Sequence, residues 1–175
     1  MTPEFSRLER IDAIGERERA VSIEADAAER AALAGRFGLV AVDALGAELT
    51  LRREAAGIVV RGRVRGHVRQ ACVVTDAPVE TEVDEPLALL FVADGQPEAE
   101  EVELGAEDLD TVPLEGGAID LGEAAAETMA LALDPFPRAP GAEAALRAAG
   151  VLSEEEARPA NAFAALKDAL GKTKG

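Results

Sequence analysis

Apolar and polar positions change rhythm several times along this chain, and each rhythm predicts a different element. From Gly57 the even positions Val60, Val64 and Val68 alternate with Arg61, Arg63, Arg65, His67 and Arg69 at the odd positions. That period of two is the pattern of a half-buried strand. Asp76-Ala77-Pro78 carries turn chemistry. The return segment, Val79 to Val92, alternates Val79, Thr81 and Val83 with Glu80, Glu82 and Asp84 before it becomes wholly apolar. Upstream, Leu39–Val42 and Ala47–Leu51 read as two short strands separated by a glycine-containing turn. Phe5–Leu8 and Ala20–Ile23 read as two more, joined by the charged stretch Gly15–Glu18. Consecutive strands with short turns predict an antiparallel meander.

Two segments switch to helical spacing. Asp26 precedes Ala27–Phe37 with Glu29 at the reciprocal capping position, and Gly38 ends the segment. Asp120 and Glu123 open a second helix, in which Leu121, Ala124, Ala125, Thr128, Met129 and Ala132 share one side. Pro135-Phe136-Pro137 stops it. Residues 94–118 are acidic and rich in Gly and Pro, which predicts an extended loop with a short strand near Val102–Leu104. Beyond Pro137 a short helix is expected near Glu143–Ala149, and Asn161 caps an apolar stretch from Ala162 to Leu170. The expected architecture is therefore α+β: an antiparallel β-sheet meander with two main helices over residues 1–140. A short helical, partly flexible C-terminal tail follows over residues 141–175.

Composition narrows the chemistry. The core must be aliphatic, because the 175 residues include five Phe and neither Tyr nor Trp. The longest apolar run, Leu87 to Ala93, is too short to span a bilayer, and the N-terminal residues lack a basic region followed by an apolar stretch. A lone cysteine leaves no intramolecular disulfide. A cytoplasmic protein without a membrane segment is expected. With one His, one Cys, three Ser and no phosphate-binding or nucleophile-elbow motif, no catalytic residues can be nominated, and a non-enzyme is expected. Neither cofactor nor metal is anticipated, since a zinc site needs more thiolate or imidazole ligands than this chain carries. His67 reads as a solvated surface imidazole. Cys72 lies between Ala71 and Val73-Val74, surroundings expected to raise its pKa and leave it an inert packing residue.

The net charge of −16 is not spread evenly. Residues 1–70 carry 12 basic and 11 acidic side chains, and residues 136–175 carry 6 and 5. Residues 71–135 hold 18 Asp and Glu with no Lys or Arg, so the whole excess lies in one window. A net charge of magnitude about 2–8 already serves solubility in a small domain, which makes this window a candidate docking surface for a basic protein. Solvation alone, or disorder over residues 94–118, are the other readings. Arg61, Arg63, Arg65 and Arg69 are the RNA-contact candidates, since a row of guanidinium groups suits phosphates. Against this, the return strand brings Glu80, Glu82 and Asp84 alongside, and cross-strand pairs would neutralise much of the row. In the tail, Asn161, Phe163 and Leu166 are partner-docking candidates, with packing back onto the domain the alternative.

Several segments, taken in order, resemble the YceD family, the large ribosomal RNA subunit accumulation proteins. They are Arg36–Leu39, Gln70–Thr75, Gly117–Glu123, Leu131–Arg138 and Asn161–Leu166. The family-motif positions include Cys72, Ile119, Asp120, Leu121 and Glu123. Family members commonly carry Cys-x-x-Cys where this chain has Cys72-Val73-Val74-Thr75, so a metal role is not carried over. Ala162 stands where the family's terminal motif usually has Pro. The resemblance implies a non-enzymatic ribosome-biogenesis factor supporting synthesis, processing or stability of large-subunit ribosomal RNA. Its expected partner is a basic ribosomal protein or pre-ribosomal particle, with possible rRNA contact. The alternatives are an acidic, RNA-mimicking module that binds a basic protein outside ribosome assembly, and a direct RNA binder.

Overall fold

The alternation of Val and Arg through residues 60–69 calls for a sheet with one buried and one wet face, and a computed structural model of the chain contains that sheet. The structure describes residues 3–93, 109–114 and 116–151. In order, these form β1 (Leu8–Arg10), β2 (Arg19–Glu24), α1 (Ala27–Phe37), β3 (Ala41–Glu54), β4 (Gly57–Ala71) and β5 (Pro78–Ala93). There follow β6 (Asp110–Leu114), β7 (Ala118–Asp120), α2 (Leu121–Leu131) and α3 (Ala142–Ala148). The main sheet has the order β2-β3-β4-β5-β6, and β1 pairs with β7 in a separate two-stranded sheet.

The expected antiparallel meander is corrected by this topology. β2 through β5 are antiparallel neighbours, but β6 runs parallel to β5, with Leu89 opposite Asp110 and Ala93 opposite Leu114. The sheet is mixed, and the described residues are mostly β, with 47% in strands, three α-helices and a single 3-10 turn at Ile11–Ala13. The signal missed was Pro113, which reads as loop chemistry. A proline lacks the ladder donor, but an edge strand tolerates it, and β6 is an edge.

β3 is also one long strand rather than two. Gly46, read as a turn residue, instead permits a close approach: a Cβ there would lie 2.9 Å from the Ile23 carbonyl oxygen on β2. The register shifts between Val42 and Ala44, so Asp43 is the extra residue of a bulge. At the N-terminus the strand begins at Leu8, and Phe5 is fully buried in the core instead of belonging to it.

Helix α1 forms where its caps place it. The Asp26 carboxylate accepts from the Ala28 and Glu29 amides, Glu29 answers onto the Asp26 amide, and Gly38 closes the helix at φ 65°. Leu33 from α1, with Leu121, Ala125, Ala126 and Met129 from α2, covers the face of the sheet formed by Leu45, Leu49, Leu51, Val60, Val64 and Val68. The arginine face lies on the other side. The short helix expected near Glu143–Ala149 is α3. The strand near Val102–Leu104 and the Asn161-capped stretch, with Asn161, Phe163 and Leu166, lie outside the described residues. Among the described residues no helix is long and apolar enough to cross a membrane.

Candidate functional site

β4 places Arg61, Arg63, Arg65, His67 and Arg69 on the open face of the sheet, between two strands that carry acids. The register sets Arg69, His67 and Arg65 opposite Glu80, Glu82 and Asp84 of β5. The ion pairs follow a different plan. Arg63 Nε lies 2.7 Å from Asp84 Oδ1, and Arg65 Nε lies 3.6 Å from the same oxygen. On the other flank Arg65 reaches Glu48 at 3.3 Å. Arg69 holds Asp43 through two bonds of 2.8 and 2.9 Å, with His67 Nδ1 3.4 Å away. The bulge that makes Asp43 an extra residue is what brings it to two basic partners. These charges favour the ionised carboxylates: the Arg69 guanidinium holds Asp43 below the usual range, and Arg63 does the same for Asp84. Four arginines therefore share this face with five carboxylates: Asp43, Glu48, Glu80, Glu82 and Asp84. Asp43 escaped the sequence reading because it fell in the expected turn, and Glu48 because the pairing of its strand with β4 was not read.

A second constellation gathers the family-like segments. Arg36 of the first donates to both Glu123 oxygens at 2.8 and 2.6 Å and to Glu4 at 3.0 Å. Ile119 and Leu121 are buried. Asp120 caps α2 through the Gly122 and Glu123 amides and also accepts from Ser6 Oγ at 2.6 Å and the Arg7 amide at 2.8 Å. Gly122 is required by a close approach: a Cβ would stand 2.5 Å from the Phe5 carbonyl oxygen. The Ile119–Glu123 motif thus locks α2 onto the N-terminal segment, a structural task.

Three of these segments meet at the other end of α2. Phe37 and Leu39 after α1, Gln70 and Val73 at the end of β4, and Leu133 and Pro137 after α2 line a groove of about 350 Å³. Val73 in its lining is 53% exposed, and Phe136, between the lining residues Pro135 and Pro137, is 69% exposed, so this end of the molecule is both apolar and open. The Val73 amide donates to the Pro137 carbonyl at 2.9 Å, and Gln70 Nε2 donates to the Asp134 carbonyl at 2.9 Å, tying the segments together. Gln70 Oε1 is buried and has no hydrogen-bond partner among the described residues. Periodicity gave no warning of this groove, because its residues are scattered over a hundred positions.

Cys72 lies next to it, fully buried against Ala139 and Ala142. The expectation of a raised thiol pKa is corrected. The Ala139 amide, the Thr75 hydroxyl and the Val74 amide hydrogen-bond the sulfur and hold its pKa down to about 7. Side-chain neighbours in sequence are apolar, but the turn aims backbone donors at the thiol. Among the described residues no group of three or more His, Cys, Asp or Glu is placed to hold a metal ion.

Residues 60–169 match the family model of the large ribosomal RNA subunit accumulation protein YceD. No curated protein and no solved structure matches the chain.

Proposed function

The chain belongs to the YceD family, and on that premise we propose that it is a non-enzymatic ribosome-assembly factor supporting accumulation of large-subunit ribosomal RNA. The family match carries this reading. Charge refines how the protein engages its target. The row Arg61–Arg69 shares its face with a larger number of carboxylates, so naked RNA meets little free positive charge there. The window 71–135, with 18 acids and no base, offers the opposite field, which attracts and orients a basic protein. A basic ribosomal protein, alone or on a pre-ribosomal particle, is the proposed partner.

Depleting the protein tests this. A reduced large-subunit peak and reduced large-subunit rRNA are expected, with the small subunit spared. Normal subunits and rRNA would remove the assembly reading. They would leave the charge-based one, an acidic module that holds a basic protein in place of RNA.

A further inference from the structure

We infer that the groove formed by Phe37, Leu39, Gln70, Val73, Leu133 and Pro137 is the seat of the chain's own C-terminal segment, Asn161–Leu170, with Phe163 and Leu166 entering it. Nine of its eleven lining residues are apolar or glycine, the exceptions being Gln70 and Asp134. The lining has one charged side chain, Asp134, whose Oδ1 accepts from the Phe136 amide at 2.8 Å on the exposed rim. An apolar side chain is the fitting occupant. The buried Gln70 Oε1 adds an acceptor that a donor from the occupant would satisfy.

Chain length and continuity identify whose side chain it is. The described chain ends at Val151, just after α3, and α3 begins at Ala142, packed on Cys72 beside the groove residue Val73. Residues 152–160 can span at most roughly 30 Å when extended, ample for a return to the groove. Phe163, Leu166 and Leu170 are spaced three and four apart, the spacing of a single apolar helix face. The family match spans two walls of the groove and the tail as far as residue 169. A tethered segment pays no second translational cost on docking, so modest contacts suffice. The inference stands apart from the ribosomal reading and survives its failure.

The test uses the dilute full-length chain. Phe163→Ala removes a ring current, and the methyl resonances of Leu39, Val73 and Leu133 are expected to move. Val73→Glu and Ala71→Glu place a charge at exposed rim positions without touching the core. Each is expected to speed trypsin cleavage after Lys167 by about tenfold by releasing the segment, with cleavage after Lys174 unchanged. Unmoved methyls with equal cleavage rates would overturn the inference and leave the groove to another protein. Methyl shifts that appear only as concentration rises would also overturn it, assigning the groove to the tail of a second copy.

Discussion

The open face of the sheet and the groove end of the same sheet are built from opposite materials. The first is crowded with charge, yet Arg63, Arg65 and Arg69 are all engaged by carboxylates on the flanking strands. The second has almost no charge, yet it leaves Phe136 and Val73 exposed and a buried amide oxygen without a partner among the described residues. Charge density and incompleteness are different properties. A surface is set up to bind where apolar groups are left open to water, and by that measure the groove end, with Val73 and Phe136 exposed, is the more incomplete of the two.

The largest effects should fall where the family motif is structural. Leu121→Ala empties a fully buried site under the sheet and is expected to cost about 2–5 kcal/mol, read from urea unfolding. Asp120→Ala strips a cap from α2 and partners from Ser6 and Arg7, with an expected loss of about 2–3 kcal/mol. Val73→Glu, half-exposed in the groove lining, should cost no more than about 1.4 kcal/mol, the equivalent of a tenfold release of the docked segment. A loss there as large as that of Leu121→Ala would mean the groove end is core, and the contrast between the two regions would collapse.

These positions also show what the sequence could and could not disclose. Both long helices were legible because their caps are local: Asp26 with Glu29, and Asp120, act within a turn of themselves. The alternation in β4 was legible for the same reason, since period two is written in adjacent residues. Gly46 and Pro113 misled because each has a meaning set by a distant strand. Gly46 makes room for the backbone of β2, and Pro113 is tolerable only because β6 is an edge. The groove was invisible for a stronger version of that reason, as its walls come from three segments that no local pattern connects. Even the counter-ions of the arginine row were half missed, because Asp43 reaches Arg69 only through a bulge.

An intermediate effect tests whether the charged face is closed on itself. The variant Asp43→Asn/Glu48→Gln/Asp84→Asn frees Arg63, Arg65 and Arg69 without removing a cation. Binding to single-stranded RNA by gel shift should tighten, and the salt slope should steepen by up to about 2, at roughly 0.7 for each further phosphate neutralised. If the parent chain already binds RNA steeply with salt, and Arg61→Ala/Arg63→Ala/Arg65→Ala flattens that slope, the face is an RNA site despite its pairs. The same carboxylates set a pH dependence. Asp43 and Asp84 have pKa values lowered in the fold, so their stabilisation is complete above the ordinary carboxylate range, near pH 4. It is lost as pH falls through the lowered folded values. Asp43→Asn/Asp84→Asn should therefore show a shallower fall in the urea midpoint between neutral pH and about pH 3.

The smallest effect lies at Cys72, where the two regions meet at the end of β4. A chain without Trp or Tyr has little ultraviolet background, so thiolate absorbance can be followed directly during a pH titration. The folded thiol should titrate near 7, held there by the Ala139 amide first and the Thr75 hydroxyl second. Thr75→Val removes the hydroxyl and keeps the shape, so the midpoint should rise toward the ordinary value of about 8.5 without reaching it. Since the folded value lies below the unfolded one, the thiolate adds stability only as pH rises from about 7 through the unfolded value, and that gain should shrink in the variant. A midpoint unchanged by Thr75→Val would assign the shift to the Ala139 and Val74 amides. Backbone geometry of the turn, which also presents Val73 to the groove, would then be what tunes the thiol.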